Sequence, residues 1–194
     1  MQRVFMLSVS IAVVIWAATA VADSPNLKGD YGFTRTVKCI VSTDSSFPHD
    51  MTFGEDFAEE GVRTFNGDGN GKQSFRALNI IIPAEHPGAA SGHAMNQPFA
   101  YVVHGDGTWS IPGMGSITGT VDDGPRAGDT FTISNIAPAL GHMSTNAATL
   151  TLSTVPPKEW VETITYTTSS GDPDGTFYRI CNRSSVLISL PPGQ

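Results

Sequence analysis

The sequence predicts an all-β protein, an antiparallel up-and-down meander of about 8–10 strands closed into a barrel, with a β-sandwich as the alternative. Three observations support this prediction. Apolar residues alternate with polar ones in many short segments, 20 glycines and 13 prolines punctuate the chain, and no segment after the N-terminal region carries an apolar stripe of helical period.

The first predicted strand begins near Tyr31. Its apolar face and its polar face alternate residue by residue, which is typical of a half-buried strand: Tyr31, Phe33, Val37, Cys39 and Val41 against Thr34, Thr36, Lys38 and Ser42. Later segments of the same kind cover 60–66, 71–82, 98–104, 107–112, 115–122, 128–136, 148–155, 159–168 and 175–190. Between them, residues 50–60 predict a short helical turn carrying Met51, Phe53 and Phe57.

The two cysteines favour the barrel. Cys39 lies in the first predicted strand and Cys181 in the last, so a disulfide between them would bring the two edges of the sheet together. Closing so long a loop is worth about 4 to 5 kcal/mol in the chain-entropy model. A redox role is the alternative, but the C-x-x-C spacing that lowers a thiol pKa is absent.

The N-terminal residues predict a secretory signal peptide over 1–22, followed by a single domain over 23–194. Met1 to Arg3 give a positive start, Val4 to Thr19 an apolar run, and Ala20-Val21-Ala22 a small-x-small cleavage site. A transmembrane anchor is the alternative, yet the run is short and no stop-transfer charges follow. We therefore expect a secreted or periplasmic protein, without stable membrane insertion after cleavage.

The charge of the chain narrows the classes of partner. The formal net charge is −7, and no basic stripe is present, so nucleic acid and anionic membrane are not expected partners. The oligomeric state stays open.

Residues 61–75, GVRTFNGDGNGKQSF, contain a run that resembles the start of a calcium loop. A calcium loop needs a bidentate Glu at its twelfth position, and counting from Asn66 that position is Ala77. The Asn and Gly residues instead predict a hairpin, because they accept positive φ angles. We expect no metal and no cofactor.

In a meander, successive turns alternate between the two ends. Tight turns near 67–70, 105–107, 123–128 and 156–158 are expected at one end, and longer links near 43–59, 83–97, 113–114, 137–147 and 169–174 at the other. The longer links carry the candidate ligand-binding residues His49, His86, His93, His142, Met95 and Met143. Long loops at the rim of a barrel are where a small ligand normally enters. No catalytic residue is assigned, since no nucleophile motif occurs.

Arg35 and Arg179 share strand parity with Cys39 and Cys181, respectively. If the cysteines face the interior, these arginines do so too. Inside a barrel an arginine usually packs on an aromatic ring at the closed end or pairs with an acid.

Several segments together resemble a group of small exported bacterial proteins with lipocalin-like (calycin-type) β-barrels and no established activity: LKGDYGF with a cysteine soon after, GVRTFNGDGNG, DGTW, GPRAGDTFTI and YRICNRSSVLI. Gly29-Asp30-Tyr31 stands where lipocalins carry G-x-W. The resemblance implies that Arg179 or Arg183 takes the place of the arginine near the last strand of that family.

Three functional hypotheses follow. The preferred one is a non-catalytic barrel that binds a small apolar molecule at the long-loop end. The second is an interaction module with a filled barrel that contacts a protein or a polysaccharide. The third is an enzyme, such as a cyclase or isomerase, in an apolar cavity, which requires a buried ionisable residue with a strongly shifted pKa.

Overall fold

A computed structural model describes residues 27–45, 53–81, 91–154, 156 and 160–192, and this part of the chain is all-β. The predicted signal peptide lies outside the described residues. Twelve strands occur in the described part: β1 Lys28–Ser42, β2 Phe53–Asn66, β3 Asn70–Ile81, β4 Ser91–Ala100, β5 Val102–Val103, β6 Thr108–Ile111, β7 Met114–Val121, β8 Thr130–Ile136, β9 Ala139–His142, β10 Thr149–Thr154, β11 Glu162–Thr167 and β12 Pro173–Ser189. No helix in these residues is long and apolar enough to cross a membrane.

The strands close into an antiparallel barrel. One complete circuit of the wall runs β1-β2-β3-β4-β7-β8-β11-β12, with each strand hydrogen-bonded to the next, and β12 pairs back onto β1. The β1–β12 register runs from Tyr31 opposite Ser189 to Ser42 opposite Tyr178. Closure leaves neither β1 nor β12 as a free sheet edge. The predicted barrel is therefore confirmed.

Cys39 and Cys181 lie directly opposite each other in this closing pair and form the predicted disulfide, with their Cα atoms 4.1 Å apart. The bond covalently joins the first and last strands at the seam of the barrel. Disulfides persist in oxidising compartments, so the bond indicates a non-reducing environment for this protein.

Several of the short strands are halves of longer wall strands. Ile111 pairs with Ala139 and Met114 pairs with Ile136 in one unbroken register, so β6 continues into β7 and β8 continues into β9. β10 and β11 both run antiparallel to β12, against its two halves. The wall is thus an eight-position meander. The expected reversals at 113–114 and 156–158 are wrong, because the strand direction does not change there.

This continuity changes which connections share an end. The connections 122–129 and 168–172 lie at one end of the barrel, which we call the long-link end, together with the strand ends Ser42, Phe53, Ile81 and Ser91. The turns 67–69, 104–107 and 143–148 lie at the opposite end, which we call the plugged end. The expected placement of 123–128 among the tight turns, and of 137–147 among the longer links, is therefore wrong.

The structure also corrects three local predictions. Residues 53–60, expected as a helical turn, belong to β2, and Phe57 points into the barrel; Met51 lies outside the described residues. β4 begins at Ser91, inside a predicted link, and β9 occupies another. Glu-rich and small-residue segments lack strand propensity, and pairing with neighbouring strands overrides that lack.

The GVRTFNGDGNGKQSF prediction is confirmed as a hairpin. β2 ends at Asn66 and β3 starts at Asn70. Gly67 and Gly69, between them, have φ angles of 88° and 89°, which glycine adopts without strain.

The plugged end is filled by aromatic rings. Phe65 lies at its centre, with ring centroids 5.3 Å from Tyr31, 5.5 Å from Phe99, 5.0 Å from Tyr101 and 5.6 Å from Trp109, all edge to face. The Tyr101 hydroxyl donates to the Leu27 carbonyl at 2.6 Å. This packing closes one end of the barrel to solvent.

Candidate functional site

A layer of charged side chains crosses the interior of the barrel. We define the charge layer as the inward-facing residues Arg35, Glu55, Glu59, Arg63, Glu162, Arg179 and Arg183. Six of these are buried, and the Glu55 side chain is 19% exposed. Charges are rarely buried unless they are paired, so the partners of each one decide what the layer does.

Glu162 is the centre of the main ion-pair network. Both of its carboxylate oxygens accept hydrogen bonds from Arg183 in a bidentate pair. Oε2 of the same carboxylate lies 3.4 Å from Nε of Arg179. Nη1 of Arg179 in turn donates to Oε2 of Glu55 at 3.4 Å. Two arginines and two glutamates therefore neutralise one another across β2, β11 and β12.

Burial opposes ionisation of Glu162, but the positive charges of Arg183 and Arg179 and the hydrogen bonds from Arg183 outweigh it and lower the pKa of the carboxyl. Burial likewise disfavours the charged form of Arg179, yet the carboxylates of Glu162 and Glu55 prevail and raise its pKa. Both groups are consequently ionised at neutral pH, and the pair is a true salt bridge.

A second pair joins Arg35 and Glu59, which face each other across β1 and β2. Arg63 also faces inward from β2, but its environment differs from that of Arg35. Its Nε donates to Oε1 of Gln73 at 2.9 Å, and its guanidinium lies 5.1 Å and 5.7 Å from the ring centroids of Phe33 and Phe99. Burial lowers the pKa of Arg63 to about 10. Among the described residues no carboxylate pairs with it.

On the long-link side of this layer lies a chamber of about 80 Å³. Its walls are mainly apolar: Phe57, Phe75, Val121, Phe131, Ile133 and Ile164. Glu55, Glu59 and Arg179 contribute polar groups from the charge layer, and Tyr166 and Ser91 add hydroxyl groups. The Ser91 Oγ is buried without a hydrogen-bond partner. The chamber therefore offers an apolar lining with a few polar groups, which is the usual composition of a small-molecule site.

The four predicted ligand-binding residues that the structure describes do not line this chamber. His93 lies on β4 near the long-link end, where Nδ1 is 2.6 Å from Oδ1 of Asp122 on the outer surface. Met95, on the same strand, is 57% exposed. His142 is exposed on β9, and Met143 follows it at the plugged end. The structure thus separates His142 and Met143 from His93 and Met95, and the single rim predicted for them is wrong. His49 and His86 lie outside the described residues.

A role of these six residues in ligand binding stays a prediction. The inward orientation predicted for Arg35 and Arg179 is confirmed, since their exposures are 8% and 3%. Arg179 and Arg183 pair with Glu162, whereas Arg63 is the arginine stacked among rings near the plugged end.

Sequence reasoning missed Glu59, Arg63 and Glu162, and it named Arg183 only through the family resemblance. A signal for two of them is present in β2, where Phe57, Glu59, Gly61, Arg63 and Phe65 occupy alternate positions on one face. Two charges between two phenylalanines of the same parity indicate buried charges. The helical assignment of 50–60 hid this pattern.

No protein-family model and no curated protein matches the chain. The structure itself shows a closed antiparallel barrel of eight wall positions. Within the described residues, no group of three or more His, Cys, Asp or Glu side chains is arranged to hold a metal ion. The chamber and the charge layer are the features of the described barrel that bear on its function.

Proposed function

We propose that this protein is a non-catalytic exported barrel that binds a small, mainly apolar molecule in the chamber at the long-link end. The observation that carries the proposal is the chamber itself, with six apolar side chains around it and ionic groups at one side. The aromatic plug leaves the long-link end as the direction of entry. The disulfide and the predicted signal peptide support export to a secreted or periplasmic location.

The volume of the chamber limits what it accepts. A buried water needs about 10–15 Å³, so the 80 Å³ chamber has room for about five to eight groups of water size. A short alkyl end or a small branched group fits, and the rest of a larger ligand would extend towards the connecting loops. Burial of four methylene groups at about 0.8 kcal/mol each gives about 3 kcal/mol, which implies weak binding for the alkyl end alone.

The buried ionisable groups do not favour the enzyme hypothesis. Glu162 contacts both Arg179 and Arg183 in one ion-pair network, and structural networks of this kind perturb pKa values as active sites do.

The test is a titration with straight-chain alcohols of increasing length, followed through the methyl NMR signals of Ile133 and Ile164. We expect both signals to shift, with affinity rising with chain length until the chamber is filled. Ala77→Met extends a side chain at the chamber wall and is expected to abolish the shifts. Ala58→Met, on the outer face of β2, is the matched control and is expected to bind normally.

Two results would count against the proposal: no alcohol shifts either signal, or a folded Ala77→Met variant binds as well as the wild type. Native mass spectrometry of the purified protein provides an independent measurement, because a retained small molecule would appear as added mass on the intact barrel.

A second candidate is an interaction module, favoured by a groove of about 700 Å³ on the outside of the barrel. Exposed apolar side chains line it, with exposures of 38% for Val62, 57% for Met95, 45% for Val186 and 59% for Ile188. For this function, Ile188→Asp should abolish binding to a polysaccharide or protein from the envelope, whereas Ala77→Met should not.

A further inference from the structure

We propose that the interior of the barrel binds one small monovalent anion, of the size of chloride, between Arg35, Arg63 and Arg183. The site is a second cavity of about 20 Å³, on the plugged-end side of the charge layer. It is distinct from the apolar chamber, and the proposal does not depend on what the chamber binds.

The strand register brings the polar walls of this cavity together. Arg35 lies opposite Ser185 across the β1–β12 seam. Arg63 faces inward from β2, the other neighbour of β1, and Arg183 precedes Ser185 by one inward-facing position on β12. Three guanidinium groups thus line the same small space together with the hydroxyl-bearing residues Thr154 and Ser185.

Three donor atoms on these walls have no hydrogen-bond partner: Nη1 of Arg63, Nε of Arg35 and Oγ of Ser185. Their residues are 1%, 8% and 3% exposed, respectively. Buried donors in native proteins are almost always satisfied, so three unsatisfied donors around one cavity indicate a bound acceptor.

The charges in the layer point to an acceptor that is negative. Four arginines face three glutamates, and Arg63 has no carboxylate partner among the described residues. With its pKa lowered to about 10 by burial, Arg63 is still charged at neutral pH. Burial, followed by the charges of Arg63 and Arg183, lowers the pKa of Arg35. One bound anion would bring the net charge of the layer to zero and would reduce the repulsion among Arg35, Arg63 and Arg183.

Size and lining exclude larger anions. The remaining walls include Ile111, Met114 and Leu152, which offer no donors, and Thr154, whose hydroxyl already donates to the Cys181 carbonyl at 3.5 Å. They cannot satisfy the several oxygens of a phosphate or sulfate. A volume of about 20 Å³ holds one water-sized particle. A water would fill the space but would leave the charge of Arg63 unbalanced.

The direct test is diffraction. Crystals of the wild-type protein grown in sodium bromide are measured at the bromine absorption edge, and we expect an anomalous peak beside Arg63 Nη1. Crystals grown in sodium gluconate are expected to show no such peak.

The solution test is thermal unfolding at constant ionic strength, with chloride exchanged for gluconate. Above the dissociation constant, each tenfold increase in chloride is expected to raise the unfolding temperature by about 3–5 °C. Arg63→Gln removes the unpaired charge and is expected to remove this response. Arg76→Gln, whose side chain is 64% exposed on β3, is the control and should keep it.

The inference is overturned if the bromide crystals show no anomalous peak in the cavity, or if chloride and gluconate stabilise the wild type equally. It is also overturned if Arg63→Gln responds to chloride like the wild type. Should Arg63→Gln fail to fold, the diffraction result on the wild type decides alone. Failure of this test leaves the alcohol titration of the chamber unaffected.

Discussion

Replacement of Glu162 by Gln should destabilise the barrel strongly. The carboxylate is 1% exposed and neutralises Arg183 through two hydrogen bonds while it also contacts Arg179. Among the described residues, an amide of the same shape leaves these two buried arginines with Glu55 as their only acidic partner, through Arg179. Removal of one member of a buried ion pair costs about 3–5 kcal/mol. For a domain of this size that loss lowers the unfolding temperature by roughly 6–20 °C.

Glu162 also makes the free energy of unfolding depend on pH in the acidic range. The pKa of Glu162 is lowered in the folded state from its ordinary value of 4.5. A carboxyl with a depressed folded pKa stabilises the fold above its unfolded pKa, and the contribution is lost as pH falls through the folded value. The difference between wild type and Glu162→Gln should therefore be constant near neutral pH and should shrink as pH falls below 4.5.

Urea unfolding, followed by the fluorescence of the buried Trp109, measures both effects. Glu60→Gln, on the outer face of β2, is the control and should change the free energy of unfolding by less than about 0.5 kcal/mol. If Glu162→Gln costs less than about 1 kcal/mol at pH 7, or if its deficit is the same at pH 3 as at pH 7, the carboxylate does not hold the layer together.

Three further substitutions test other parts of the fold. Replacing Cys39 and Cys181 by alanine opens a loop that spans 142 positions and should lower the free energy of unfolding by up to about 5 kcal/mol; a urea midpoint equal to that of the oxidised wild type would contradict this. Gly141→Ala would place a Cβ atom 1.8 Å from a carbonyl oxygen of β10, so we expect little folded protein by circular dichroism, and wild-type yield would refute the close approach. Tyr101→Phe removes a buried donor to a backbone carbonyl and should cost about 1–3 kcal/mol in urea unfolding; no loss would show that the hydroxyl contributes nothing.

The sequence was sufficient to predict the barrel because the first strand carries both the alternation of apolar and polar residues and one cysteine of the disulfide. Tyr31, Phe33, Val37 and Cys39 have a single parity, and with Cys181 in the last strand the closing pair follows from disulfide geometry. The same parity correctly predicted that the side chains of Arg35 and Arg179 face inward.

The wall strands between these two were harder to predict, because continuity depends on partners and not on local composition. Pro112 and Gly113 read as a turn, yet Ile111 and Met114 keep one register with β8 and β9 on either side of them. An error in one turn reverses the assigned end of the turns that follow, until a second error, here at 156–158, restores it. That is how His142 came to be predicted beside His93.

The pairing within the charge layer could not be predicted from local sequence patterns either. Which acid meets which arginine is decided by cross-strand register, as for Arg35 opposite Glu59 and Glu162 opposite Arg179. A register of this kind is a property of two distant segments, and a single sequence supplies only the parity of each.

The buried charges and the disulfide constrain the same register, and we infer that this explains why the layer lies beside the seam. A slip of one residue between β1 and β12 would turn Arg179, Arg183 and Cys181 outward and bring Asn182 inward. Such a slip would break the disulfide and leave Glu162 buried without its partners. The ion pairs add little net stability over a well-packed apolar core, but they penalise every alternative pairing of the closing strands. The layer thus specifies how the barrel closes, and the anion proposed above would balance the one positive charge that this arrangement leaves over.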